Sequence, residues 1–204
     1  MIGSIKSYCS NLTKEFDKIP LVRKMLLENI SQYISQKSTL NKPVNLVYIC
    51  THNSRRSHFG QIWAQVAAHY YNIKNIYAFS GGTEATAFNI NAINAIKRIG
   101  FKVKQITNEK NPTYHVFFDE KENPVECFSK VYDVAENPKN EFAAIVTCSD
   151  AEENCPYISG AELRIGTTYN DPKVFDNTPL QDEKYDERCK QIAIETFYVF
   201  SKVK

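Results

Sequence analysis

One short segment constrains this chain more than any other: Cys50-Thr51-His52-Asn53-Ser54-Arg55-Arg56-Ser57. The apolar run Val44 to Ile49 precedes it and reads as a buried strand. Arg56 to Tyr71 follows it and reads as a helix, with Phe59, Ile62, Trp63, Val66, Ala67 and Tyr70 on one face. A tight turn between a strand and a helix aims successive backbone N–H groups at one point, where the helix N-terminus adds positive potential. A tetrahedral oxyanion fits such a turn. Arg56 can grip two of its oxygens bidentately. The same positive surroundings suit Cys50 as a thiolate nucleophile, and Ser57 can donate its hydroxyl to that sulfur. Asn53 tolerates the left-handed backbone that a tight loop requires.

The rest of the chain repeats the alternation. Ile76 to Ser80 reads as a strand stopped by Gly81 and Gly82, and Asn91 to Ile99 as a helix ended by Gly100. Val103 to Ile106, His115 to Phe118 and Phe128 to Val134 are weaker extended segments, and Phe142 to Cys148 is another buried strand. Pro179 to Val203 is a long helix with Tyr185, Cys189, Ile192, Thr196, Phe197 and Phe200 facing inward. Strands alternating with helices imply an α/β fold, a parallel sheet covered by helices on both faces. Active sites of such sheets lie beyond the carboxyl ends of the strands, where Cys50 and Cys148 both fall.

Residues 1–42 read as a helical extension before a catalytic domain of residues 43–204. Ile5, Tyr8, Cys9, Leu12 and Phe16 recur at helical spacing. After Pro20, Val22, Met25, Leu26, Ile30, Tyr33 and Ile34 do so again, and the polar stretch Ser35 to Pro43 is expected to be a linker. The extension is expected to pack on the main domain or on a partner.

Composition removes several function classes. A net charge of +2 over 204 residues implies no broad field for nucleic acid or membrane. No run of eighteen apolar residues exists, and Met1 to Asp17 lacks the apolar stretch of a secretory signal. The six cysteines, at positions 9, 50, 127, 148, 155 and 189, therefore read as free thiols in a reducing, cytoplasmic setting. Cys9 and Cys189 read as core residues, and Cys127 has no assigned role. His58 and His69 have no partner at metal-ligand spacing, so no metal is expected.

Val47-Tyr-Ile-Cys-Thr-His-Asn-Ser-Arg-Arg-Ser57 resembles the signature of the low-molecular-weight protein tyrosine phosphatase superfamily, to which the thioredoxin-coupled arsenate reductases belong. The resemblance continues through Ser80-Gly-Gly-Thr-Glu-Ala-Thr-Ala-Phe-Asn89, Val146-Thr-Cys-Ser-Asp-Ala-Glu-Glu-Asn-Cys-Pro156, Asn170-Asp171-Pro172 and the last helix. It spans residues 44 to about 202 and leaves the extension outside, with residues 111–140 longer than the corresponding family segment. It implies a four-stranded parallel sheet. It also implies Cys50 as nucleophile, Arg56 as oxyanion clamp and Asp171 as general acid.

Two outcomes stay open. A phosphatase needs Cys50, Arg56 and Asp171, then water to hydrolyse a phosphocysteine. A reductase moves two electrons and needs further thiols. Cys148 and Cys155 resemble the redox pair of the arsenate reductases, with an external thioredoxin-like dithiol as reductant and no tightly bound cofactor. The acidic stretch Ser149 to Asn154 would loop out and let Cys155 reach inward. The substrate is then a small oxyanion, arsenate or phosphate, or a phosphotyrosine. A third reading is a non-catalytic phosphate-binding module, against which the complete Cys50, Arg56 and Asp171 set argues.

Three departures from the family pattern stand out: His52 where glycine is usual, Arg55 where many relatives have cysteine, and Lys173 where phosphatases usually have tyrosine. Some arsenate reductases hold a potassium ion near this loop; Asn53 is present here, but Gln61 replaces the usual acidic ligand.

Overall fold

The computed structural model describes residues 1–154 and 157–204. Its centre is β1 (Val44–Cys50), buried at every position but Asn45. A strand so apolar must be covered on both faces and paired on both edges. It pairs in parallel with β2 (Ile76–Gly82) and with β6 (Phe142–Val146), and β6 pairs in parallel with β7 (Ala161–Gly166). The sheet order is β2-β1-β6-β7. Alternate residues of β1 feed opposite faces, as strand geometry requires. Val44, Leu46 and Tyr48 enter the main core, and Val47 and Ile49 enter a smaller one with Phe142, Val146 and Cys148.

The main core lies under α3 (Arg56–Tyr70), α4 (Ile90–Ile99) and α6 (Gln181–Ser201), with Trp63, Phe59, Tyr185 and Phe197 fully buried. The smaller face carries the short helix α5 (Ser149–Asn154) and Ile158. A separate antiparallel sheet joins β3 (Lys102–Gln105), β4 (Tyr114–Phe117) and β5 (Val125–Cys127). The fold class is the one the sequence implies: a four-stranded parallel sheet with helices around it, preceded by N-terminal helices. Among the described residues no helix is long and apolar enough to cross a membrane.

The extension forms α1 (Gly3–Leu12), a 3-10 turn (Thr13–Lys18) and α2 (Leu21–Thr39). Ile5, Cys9, Leu12, Leu27, Ile30 and Ile34 all join the main core, and Tyr8 stacks on Trp63 at 5.7 Å between ring centroids. Two expectations fail here. Val22 and Met25 are exposed, at 80% and 63%, because the buried stripe of α2 runs through Leu27, Ile30 and Ile34. Nor is Ser35 to Thr39 a linker: it is the last turn of α2, where buried Lys37 pairs with Glu162 at 2.6 Å.

Residues 128–134 are not the expected strand either. Val125–Cys127 takes the place beside β4, and the chain then turns back to the main sheet, with Val131 bridging Gly82. The strand β7 has no counterpart in the sequence reading. It is an edge strand with one buried residue, Ile165, so it shows no apolar run. Ser149 to Asn154, expected to loop out, is helical in this structure.

Candidate active site

The segment between β1 and α3 is held from behind by its carbonyls. Thr83 N–H donates to Cys50 O at 3.2 Å, Glu84 N–H to Thr51 O at 2.8 Å and Asn89 N–H to Ser54 O at 3.0 Å. The His52 carbonyl accepts from the Ser129 hydroxyl at 2.8 Å and the Thr86 hydroxyl at 3.1 Å. Among the described residues none of the amides from Thr51 to Arg55 donates to a backbone carbonyl. With the carbonyls bonded behind, these amides are left without a backbone acceptor among the described residues, the arrangement of a backbone nest suited to an anion.

Three features let the chain do this. Asn53 adopts the left-handed backbone, φ 43°, as anticipated. Its side chain is buried and bonded at both ends: Oδ1 accepts from Lys130 N–H at 2.9 Å, and Nδ2 donates to Ser57 Oγ at 2.8 Å. Gly82 passes directly behind the loop; a Cβ there would stand 2.5 Å from Thr51 O and 2.7 Å from Asn53 N. The 128–132 segment completes the brace through Ser129 and Lys130, which explains why it leaves the small sheet.

Cys50 ends β1 with its Sγ 3.1 Å from Ser57 Oγ. Because Ser57 Oγ already accepts from Asn53, its own hydrogen is left for the sulfur. Arg56 opens α3. Its Nη1 donates to Tyr169 O at 2.8 Å, its Nη2 to Asp171 Oδ2 at 2.6 Å, and its buried Nε has no partner among the described residues. Asp171 also caps the 3-10 turn Pro172–Phe175 by accepting from Lys173 N–H at 3.0 Å.

Cys148 follows β6, its sulfur 3.4 Å from Thr51 Oγ1. The Thr51 hydroxyl donates to Asp150 Oδ2 at 2.8 Å, so Cys148 meets Thr51 as the donor. Ala151 N–H in turn donates to the Cys148 sulfur at 3.4 Å. A cleft of about 770 Å³ joins Thr51, His52, Arg56, Cys148 and Asp171 with Arg188 of α6. Cys155 lies outside the described residues.

The two adjacent arginines divide. Arg55 turns away from the cleft: its Nε donates to Tyr185 OH at 2.7 Å, and its Nη2 reaches Asp176 at 3.4 Å. It ties the loop to α6, and its Nε also lies 4.0 Å from Asp171 Oδ1, while Arg56 is the one of the two that lines the cleft. Ser54 Oγ likewise points backward, to Ala87 O at 2.6 Å. The His52 side chain is 39% exposed and lies 3.9 Å from Glu84.

Four other titratable groups are buried in the fold. His58 is fully buried against Phe88, its Nδ1 3.2 Å from Ser80 Oγ. Burial, and then the charge of Lys130, push its pKa down to about 3, so the ring is neutral. Burial pushes the thiols of Cys9, Cys127 and Cys189 up to about 12. Among the described residues no cluster of three or more His, Cys, Asp or Glu side chains is arranged to hold a metal.

The fold is that of the superfamily of low-molecular-weight phosphotyrosine phosphatases and arsenate reductases, and the sequence similarity runs to the same superfamily. No protein-family model matches the chain. An arsenate reductase of Staphylococcus aureus (strain Newman) is 27% identical over 155 residues, covering 74% of this chain and 94% of the relative. A low-molecular-weight protein tyrosine phosphatase from T. tengcongensis superposes with a TM-score of 0.54 at 14% identity, covering 78% of this chain and 99% of the other. An arsenate reductase in the phosphate-binding state superposes with a TM-score of 0.51 at 14% identity, covering 79% and 99%.

Proposed function

We propose that the protein is a cysteine-dependent oxyanion enzyme that reduces arsenate to arsenite through Cys50, Cys148 and Cys155. The observation that carries this reading is the Cys148 sulfur, held against the anion loop at Thr51. A hydrolase has no use for a second thiol there. The Staphylococcus aureus arsenate reductases among its relatives support the same substrate.

The oxyanion binds the loop amides and Arg56, which gives up its contact with Asp171. The Cys50 thiolate attacks arsenic(V) and an oxygen leaves as water, protonated by Asp171. Cys148 then attacks the Cys50 sulfur. A sulfur–sulfur bond forms, the sulfur–arsenic bond breaks, and its electron pair stays on arsenic, which departs as arsenite. Attack of Cys155 on Cys148 frees Cys50 and leaves a Cys148–Cys155 disulfide. An external thioredoxin-like dithiol reduces that disulfide.

The second reading is a phosphatase, favoured by the complete set of Cys50, Ser57, Arg56 and Asp171, with Cys50 on Ser57 behind the loop and Arg56 on Asp171 in the cleft. Hydrolysis of a phosphocysteine needs nothing more. Lys173, exposed after Pro172, stands where a tyrosine would flank a phosphotyrosine ring, which favours the first reading, while Phe175 of the same turn still lines the cleft. A paired assay on one preparation decides: thioredoxin-dependent arsenate reduction and p-nitrophenyl phosphate hydrolysis. Cys50→Ser is expected to reduce both to background. Cys148→Ser and Cys155→Ser are expected to abolish reduction and spare hydrolysis. Wild-type reduction rates in both single variants would remove the relay.

A further inference from the structure

We propose that Arg23, on the N-terminal extension, is a positioning residue for both the acid and the clamp. This rests on the reading of Asp171 and Arg56 given above. The loop of residues 167–171 carries Asp171 and also Tyr169 O, which accepts from Arg56 Nη1. One side of that loop is fixed by the sheet: Thr167 N–H donates to Val146 O at 2.8 Å, and Tyr169 N–H to Thr147 O at 3.1 Å. The other side is fixed by the extension. Arg23 Nη2 donates to Thr167 O at 2.9 Å, and its guanidinium lies 4.9 Å over the Tyr169 ring.

The third support is a buried carboxylate. Glu195 of α6 is 4% exposed and accepts from Arg23 Nε at 2.9 Å and from Tyr169 OH at 2.7 Å. A buried carboxylate is costly unless it is paired and hydrogen-bonded. Among the described residues Arg23 is the one cation within ion-pair distance of it. Burial and then Glu195 hold the Tyr169 phenol well above its ordinary pKa, so it remains a hydrogen-bond donor to that carboxylate. A continuous path therefore runs from α2 through Thr167, Tyr169 and Glu195 to Arg56 and Asp171. The forked, planar guanidinium is what allows one side chain to reach Thr167 O, Glu195 and the Tyr169 ring together. The phase of α2 serves the same end. Arg23, Leu27, Ile30 and Ile34 follow one helical stripe, so the residues that seat the helix also aim Arg23 at the loop.

A purely structural role would be to hold α2 against the domain. The helix has independent anchors for that: buried Leu27, Ile30 and Ile34, Ser31 Oγ bonded to Val199 O at 2.9 Å, and the Lys37–Glu162 pair. Loss of Arg23 should therefore leave α2 docked while freeing residues 167–171.

The test compares Arg23→Met and Arg23→Lys with wild type, and uses Lys37→Met as an α2 variant remote from the cleft. The readouts are melting temperature, arsenate reduction, and kcat/KM for p-nitrophenyl phosphate and phenyl phosphate. A mispositioned acid hurts the poorer leaving group more, because that oxygen depends more on protonation. Arg23→Met is expected to lose roughly tenfold to a hundredfold on phenyl phosphate and on arsenate reduction, the scale of a small misplacement of catalytic groups. It should lose clearly less on p-nitrophenyl phosphate. Arg23→Lys should recover part of the loss, and Lys37→Met should keep wild-type rates at a lowered melting temperature. Equal losses on the two phosphate esters, or wild-type rates in Arg23→Met, would overturn the inference while the oxyanion reading stands. A wild-type protein inactive in every assay would overturn both.

Discussion

Five described cysteines divide into two groups that burial alone does not separate. Cys50 and Cys148 are 3% and 1% exposed, and Cys9, Cys127 and Cys189 are each 0% exposed. What differs is what faces the sulfur. Cys50 meets the Ser57 hydroxyl at the entrance to α3, beside loop amides that have no backbone acceptor among the described residues. Cys148 meets Thr51 and an amide of α5 at the wall of the cleft. Cys127 is packed in the main core, Cys9 touches Met1, and Cys189 has one donor, Trp63 Nε1, at 3.3 Å. In these three, burial dominates and pushes the thiol up to about 12. What a buried cysteine can do follows from the groups that face its sulfur, and exposure is a poor guide to it.

The sharpest way to break this contrast leaves every cysteine in place and disturbs the nest. Gly82→Ala puts a methyl group 2.5 Å from Thr51 O and 2.7 Å from Asn53 N, both backbone atoms, so the loop must shift. A loss of roughly a hundredfold in kcat/KM is expected, because a displacement of about 1 Å costs that much. Overpacking should also destabilise the fold by about 1–3 kcal/mol. Steady-state rates and a melting curve on the same preparation test both. An unchanged rate would mean that the amides do not set the reactivity of Cys50.

Gly82 also marks how far the sequence could be read. The anion loop was legible because its chemistry is local: Cys50, Asn53, Arg56 and Ser57 all lie within eight residues, and each side chain has one obvious use. The left-handed Asn53 followed from residue type alone. The supports were not legible, because they come from distant segments. Ser129 and Lys130 lie in a stretch whose apolar residues imitate a strand, while its backbone is bonded to Asn53 and Gly82. Arg55 and Arg56 are indistinguishable in sequence. Only the direction in which α3 leaves the loop sends one to Tyr185 and the other to the cleft. Glu195 and Arg23 are 172 positions apart, and a single glutamate on the inner face of α6 does not reveal its partner. The Gly81-Gly82 pair did carry a signal. In the sequence it marks the end of a strand; in the fold it also marks a close backbone approach.

A smaller effect tests the other side of the contrast. Cys189→Ala removes a core thiol and leaves Trp63 Nε1 without its acceptor. The cost is expected at about 1–3 kcal/mol, from an unmet buried donor and a small cavity. Activity per folded molecule should not change, because neither Cys189 nor Trp63 lines the cleft. Denaturant unfolding and a rate measured well below the melting temperature separate the two quantities. A loss of activity larger than the loss of folded protein would place Cys189 among the reactive thiols and remove the division.

The smallest expected effect is at His52, the residue that departs from the family pattern inside the loop. Its backbone carries the structural load: the carbonyl accepts from Ser129 and Thr86, and any residue supplies that carbonyl. Its side chain is 39% exposed and lies 3.9 Å from Glu84, which is 64% exposed. A pair so exposed contributes about 0–1 kcal/mol and weakens with salt. The backbone at His52 is not left-handed, so glycine is not required there. His52→Ala is therefore expected to change kcat/KM by less than about fivefold, the rate equivalent of about 1 kcal/mol. Any part of the change that comes from the exposed contact with Glu84 should shrink as ionic strength rises. His52→Gly should cost more than His52→Ala, since glycine adds freedom that the nest must remove. If alanine costs more than glycine, the side chain acts on the bound oxyanion, and the nest is more than a backbone device.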